Sequence, residues 1–235
     1  MDKTLLADTF WCLRIFITFI IPCVLILLPF RFFTKVPSYV FRKLLHIVAL
    51  SCVMIMIIKA RNWQAAAMAS VVIAIVIYPV LRMFENKPGY ADLFVEKEPG
   101  EIRKSLLMLF LMFAAVTAVA WGIFDKPYYA AAAILMWGTG DAAAALVGIP
   151  FGRHKVKLKP ADGKKSWEGS LAMLIVSLVS GFCVLYFGHG SSLSMSLPAA
   201  FAAALFGTAT ELFSSSEWDT VTVPAMIAAI LLLVG

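Results

Sequence analysis

Charge is what this chain has least of. Only 14% of its 235 residues are Asp, Glu, Lys or Arg, where a soluble domain carries about 25%. That scarcity, with 62% hydrophobic residues, excludes a sizeable soluble domain. The four cysteines, Cys12, Cys23, Cys52 and Cys183, stand inside apolar runs without metal-ligand spacing. They predict neither a disulfide framework nor a metal knot. No low-complexity tract and no internal repeat is visible. A Walker-type phosphate loop is also missing. Two lysines, Lys164 and Lys165, stand between Gly163 and Ser166, and Leu158 holds the first glycine position of that pattern.

What the chain has is apolar runs near the roughly 20 residues that cross a bilayer as helix. Eight can be read: Thr9–Phe30, Leu44–Ile58, Trp63–Leu81, Ser105–Phe124, Tyr128–Gly148, Gly169–Phe187, Pro198–Phe213 and Pro224–Gly235. The first is too long for a signal-peptide core and is expected to stay uncleaved. The last is short for a full span. The expected fold is all-α, a polytopic transmembrane bundle of seven to eight segments forming a single domain over residues 1–235.

The basic residues set an expected orientation. Fifteen of the 20 Lys and Arg fall in the segments after the first, third and fifth runs. Alternating spans put these three on one side, which the positive-inside rule makes cytoplasmic. The +6 net charge then points to anionic headgroups rather than nucleic acid. Segment 31–43 mixes Arg31, Lys35, Arg42 and Lys43 with Phe32, Phe33, Tyr39 and Phe41. It fits an interfacial segment and an ordinary basic loop equally well.

Ionisable groups inside spans cost at least ~2.5 kcal/mol on insertion scales and usually face a cavity or a partner. Arg14, His46, Asp141 and Glu211 are the four here. Asp141 lies in Gly138-Thr139-Gly140-Asp141-Ala142-Ala143-Ala144, where small neighbours leave room beside the carboxylate. The following connector carries Arg153, Lys155, Lys157, Lys159, Lys164 and Lys165 with Gly148, Gly152, Gly163 and Gly169. Such a loop suits a polyanion, and Ser166 and Glu168 mark the start of the next helix, whose N-terminus favours phosphate. A solvated basic loop has the same composition. A third cluster, Glu211 through Asp219, holds no Lys or Arg. Carboxylates facing bases are the composition of a magnesium–triphosphate site. The site is expected from loops 31–43, 82–104, 149–168 and 214–223.

These residues resemble the polyprenol kinase family: dolichol kinase, phytol kinase and the CTP-dependent diacylglycerol kinase. The match runs through Gly140-Asp141-Ala142, Gly148, Gly152-Arg153 and Lys165-Ser166-x-Glu168-Gly169-Ser170, with Arg42-Lys43-x-x-His46 before it and Glu211, Asp219 and Pro224 after it. Gly100-Glu101-Ile102-Arg103 is similar to a further family stretch. One departure is Asp219-Thr220, where the family has Asp-Asn. The resemblance implies transfer of the terminal phosphate of a nucleoside triphosphate, typically CTP, to a long-chain alcohol, assisted by Mg²⁺ or another divalent cation. Gly140, Gly152, Arg153, Lys164, Lys165, Ser166 and Gly169 are then the nucleotide and phosphate set. Asp141, Glu168 and Asp219 are the metal candidates. Asp141 is also placed at the catalytic centre, with Glu211 or His46 to accept the hydroxyl proton. Lys43 and His46 would meet the lipid headgroup. The location implied is a bacterial inner membrane or endoplasmic reticulum, with the site facing the cytoplasm.

Two other readings compete. A cytidylyltransferase similar to CDP-diacylglycerol synthase also uses CTP and metal, but its terminal His-Gly-Gly signature is not visible. A transporter would explain buried Asp141 and Glu211, yet the polar groups gather at one face rather than at the midplane.

Overall fold

A computed structural model describes residues 3–34, 36–86, 90, 100–156, 165–215 and 218–235. Among them are eight α-helices and no strand: α1 (Lys3–Phe33), α2 (Ser38–Lys59), α3 (Trp63–Phe84), α4 (Glu101–Thr117), α5 (Pro127–Phe151), α6 (Trp167–Cys183), α7 (Leu193–Phe213) and α8 (Asp219–Val234). Short π-helical turns, Ala118–Ile123 and Val184–Gly188, extend α4 and α6. Helix satisfies every backbone group within one segment, which is what a chain in hydrocarbon requires. Seven of the helices are long and apolar enough to cross a membrane. The protein is a multi-pass membrane protein, as its hydropathy predicts.

The helices begin and end further out than the apolar runs. The first expected span lengthens to Lys3–Phe33 and the second to Ser38–Lys59. Segment 31–43 is therefore mostly helix: Arg31–Phe33 close α1 and Ser38–Lys43 open α2. Arg31 makes the turn compact by donating to the Val36 carbonyl at 2.6 Å and to Ser38 Oγ at 3.0 Å. Basic residues can continue a helix past the hydrocarbon because their heads reach water. The last helix likewise starts at Asp219 rather than Pro224 and takes in 16 residues. That is about 24 Å at helical rise, still short of the roughly 30 Å core.

Residues 1–118 and 119–235 form two compact units. In the first, α1 packs on α2 and α3, and α3 packs on α4. Asp8 near the start of α1 pairs with Arg61 at 3.0 Å and accepts from Asn62 at 2.8 Å, in the α2–α3 turn. Asn62 also caps α3 by accepting from the Ala65 N–H at 2.8 Å. The start of α2 reaches the start of α4 through Arg42–Glu101 at 3.4 Å, and Arg103 pairs with Glu85 at 2.8 Å. Within this unit the basic segments 31–43 and 82–104 thus meet at one end, through Arg42 and Glu101, as alternating spans require.

In the second unit α5 is the central helix, packed on α6 and α8, while α7 packs on α6 and α8. Ala130–Ile134, Met136–Gly138, Gly140 and Ala142 are buried. A helix buried nearly all round has no strong polar face, and its alanines and glycines allow close approach. A Cβ on Gly181 would strike Met136, and one on Gly207 would strike Ile227.

Candidate active site

The site begins with a stripe on α5. Asp141, Ala144, Ala145 and Gly148 stand at i, i+3, i+4 and i+7 and line one side of a cavity of about 320 Å³. The three neighbours are too small to fill the space beside the carboxylate. Gly140 does not line this cavity. A Cβ there would strike Ser177 and Met173 of α6, so the absent side chain brings α6 against α5. Ser177 completes the seam by donating to the Met136 carbonyl at 2.8 Å.

The start of α6 supplies the opposite wall: Lys165, Ser166, Gly169 and Ser170. Ser166 caps the helix by accepting from the Gly169 N–H at 3.2 Å. Three glycines crowd round this cap. A Cβ on Gly148 would stand 3.0 Å from Ser166 Oγ, one on Gly169 2.8 Å from the Ala144 carbonyl, and one on Gly152 2.8 Å from Ser166 Cβ. Gly152 and Gly169 therefore have a packing reason independent of any phosphate: they let the end of α5 and the start of α6 touch.

The two described ends of the α5–α6 connector run side by side. The Val156 N–H donates to the Lys165 carbonyl and the Trp167 N–H to the His154 carbonyl, each at 3.0 Å. Lys155 and Ser166 form the bridge between them. Glu168 holds the turn in place. Its carboxylate accepts from the Arg153 N–H at 3.2 Å and the His154 N–H at 3.1 Å, and its Oε1 lies 2.7 Å from His154 Nδ1. This zipper carries Lys155 as well as Lys165 to the cavity. Lys164 and Gly163 lie outside the described residues.

The third wall is Glu211, in the last turn of α7. Lys165 Nζ lies 3.0 Å from Glu211 Oε1, both side chains being 11% exposed. The ammonium also donates to the carbonyls of Glu211 and, at 3.0 Å, Ser214. A cation over the last carbonyls of a helix is favoured by the helix dipole. Ser214 Oγ in turn lies 2.9 Å from Thr222 Oγ1 in α8. Asp219 stands one turn before Thr222 on the same side of α8. Asp219 is thus at the same end of the unit as Lys165, although it does not line the cavity.

Residues 5–216 match the family model described as the Cytidylyltransferase family. The chain belongs to this family. It is also 30% identical over 195 residues to phytol kinase from Synechocystis sp., an alignment covering 80% of this chain and 76% of that protein. No solved structure matches it. The resemblance to the polyprenol kinases holds, and this cytidylyltransferase-family member is a phosphotransferase.

In this family member no three His, Cys, Asp or Glu side chains among the described residues converge to hold a metal ion. Asp141 lines the cavity, Glu168 is engaged by the connector, and Asp219 stands at the start of α8. The donor set still fits magnesium of one kind. That ion keeps several waters and is bound through one or two carboxylates plus substrate phosphates. A half-buried aspartate facing two lysines across one cavity offers that arrangement.

The remaining sequence-derived candidates belong to the first unit. Lys43 and His46 stand three apart on one side of α2, both half-buried. Glu101 and Arg103, in the first turn of α4, are taken up by Arg42 and Glu85. Lys155, which the sequence offered only as one of the connector's six bases, and Ala144, offered only as a small neighbour of Asp141, line the cavity together with Ala145, which the sequence did not single out. The helical spacing of the two alanines from Asp141 was the available signal.

Proposed function

We propose that this protein transfers the terminal phosphate of CTP to a long-chain isoprenoid alcohol of the phytol or polyprenol type, at the cytoplasmic face of its membrane. One observation carries the reading: Asp141, Lys155, Lys165 and Glu211 line a single cavity at the end of the second unit that holds the basic connector. The phytol kinase relative supports the alcohol, and membership of the cytidylyltransferase family supports a cytidine nucleotide.

Phosphoryl transfer demands positioning and charge neutralisation more than covalent help from the protein. Lys155 and Lys165 supply two cations against the phosphates, and the capped start of α6 directs backbone N–H groups to the same place. A divalent cation carried on the triphosphate, when bound, supplies further neutralisation of the transferring group, and Asp141 is the residue that would hold it. The alcohol oxygen attacks the terminal phosphorus, the bond to the bridging oxygen of the leaving diphosphate breaks, and the hydroxyl proton passes to Glu211. Lys43 and His46, on α2 of the first unit, are proposed lipid-headgroup contacts.

Membership of the cytidylyltransferase family also favours a second reading. In a cytidylyltransferase the phosphate of a phospholipid such as phosphatidate would attack the innermost phosphorus of CTP, forming a CDP-lipid and releasing pyrophosphate. The panel that tests the kinase reading uses purified protein with terminally labelled CTP or ATP and phytol, polyprenol, diacylglycerol or phosphatidate. Label is expected in phytol or polyprenol, with CTP the better donor. Label confined to pyrophosphate would support the second reading and contradict the first.

A further inference from the structure

The cavity of about 320 Å³ lies at the small end of the roughly 300–1,000 Å³ of ligand sites. It has to receive the transferring phosphates and the head of the alcohol together, which leaves little room for a base and a sugar. A second, more open cleft of about 740 Å³ lies on the connector, lined by Arg153, His154, Lys155 and Trp167. Lys155 lines both, so the two are neighbours across one side chain.

The walls of the cleft are held firmly for a surface feature. Trp167 is fixed through its N–H to the His154 carbonyl, and Arg153 and His154 through their N–H groups to Glu168. On this fixed backbone the Trp167 side chain is still 52% exposed, with three basic residues beside it. An exposed indole next to cations is the composition of a stacking platform for a nucleobase, whose π-face any base presents.

We infer that the cleft of Arg153, His154, Lys155 and Trp167 takes the nucleoside end of the donor, with its base stacked on Trp167, while Lys155 passes the phosphates to the cavity. This rests on the nucleotide-dependent transfer proposed above. The competing role for Trp167 is an aromatic anchor at the membrane–water boundary, and a ligand-truncation experiment separates the two.

Binding is measured on detergent-purified protein without lipid alcohol, using labelled CTP and, as competitor, inorganic tripolyphosphate. Trp167→Leu keeps an apolar anchor but removes the platform. It is expected to weaken CTP roughly five- to hundredfold and to leave tripolyphosphate competition unchanged; Trp167→Phe falls between. CTP is also expected to quench part of the wild-type tryptophan emission, tripolyphosphate is not, and Trp167→Phe abolishes that quench. This second readout does not depend on how well the leucine variant folds. Equal weakening of both ligands, or of neither, overturns the inference while leaving the kinase reading intact if label still reaches lipid. Failure of the wild-type protein to bind or use any nucleotide overturns both.

Discussion

Lys165 Nζ lies 3.0 Å from Glu211 Oε1, joining the second residue before α6 to the last turn of α7 across 46 positions of sequence. The same ammonium meets the carbonyls of Glu211 and Ser214. One side chain thus lines the cavity, compensates a carboxylate and closes the end of a helix.

Removing one member of this pair leaves a charge mostly out of water. Lys165→Met and Glu211→Leu are each expected to destabilise the purified protein by about 3–5 kcal/mol. The double variant is expected to lose less than the sum, with a coupling energy on the order of 0.5–3 kcal/mol. Unfolding in a mild detergent measures all three, and strict additivity would show that the two groups do not interact.

Gly169→Ala puts a Cβ 2.8 Å from the Ala144 carbonyl and 3.2 Å from Gly148 Cα. Backbone atoms cannot give way as side-chain ends do, so overpacking by about 1–3 kcal/mol is expected. Gly188→Ala meets nothing nearer than Tyr128 at 3.4 Å and is the matched control, with a smaller expected loss. A Gly169→Ala protein as stable and active as wild type would show that the ends of α5 and α6 are not closely apposed.

Glu168→Ala removes the acceptor shared by the Arg153 and His154 N–H groups. The connector end that brings Lys155 to the cavity then loosens. Expected is a raised KM for nucleotide with the KM for lipid alcohol unchanged. Steady-state kinetics varying each substrate separately reads this, and an equal rise in both KM values would contradict it.

Orientation has its own test. Arg153→Cys in a background lacking Cys12, Cys23, Cys52 and Cys183 places one thiol on the connector. A membrane-impermeant maleimide is expected to label it only after intact cells are opened. Labelling of unopened cells would put the connector on the outer side.

Much of this architecture was legible in the sequence. The apolar runs predicted the helices because hydrocarbon demands internally paired backbone, and within the first unit the basic segments 31–43 and 82–104 meet at one end, through Arg42 and Glu101, as alternating spans require. Asp141 stood out because a carboxylate among glycines and alanines is costly unless it faces space. Helix ends were less legible. Arg31, Arg42 and Asp219 continue helices beyond the apolar run, since a charged head in water does not interrupt backbone pairing. The Lys165–Glu211 pair was illegible for another reason: it depends on how α6 and α7 pack, and no local pattern encodes that. Gly140 and Gly152, placed in the phosphate set by the family resemblance, also have a packing role beside Ser177, Met173 and Ser166 that the sequence did not reveal. Glu168, a metal candidate in the sequence, has a second role that its spacing did not reveal: its carboxylate accepts from two backbone N–H groups of the connector. Spacing alone does not distinguish a glycine facing a ligand from one facing a helix.

The most direct measurement follows the two ends of CTP at once, with different labels on its innermost and terminal phosphates. Purified wild-type protein, magnesium and phytol are expected to give phytyl phosphate carrying only the terminal label and CDP carrying only the innermost one. Asp141→Asn, folded and able to bind lipid, is expected to lose about 10²-fold or more of that transfer. Innermost label in the lipid with pyrophosphate released, or undiminished transfer by Asp141→Asn, would contradict the account.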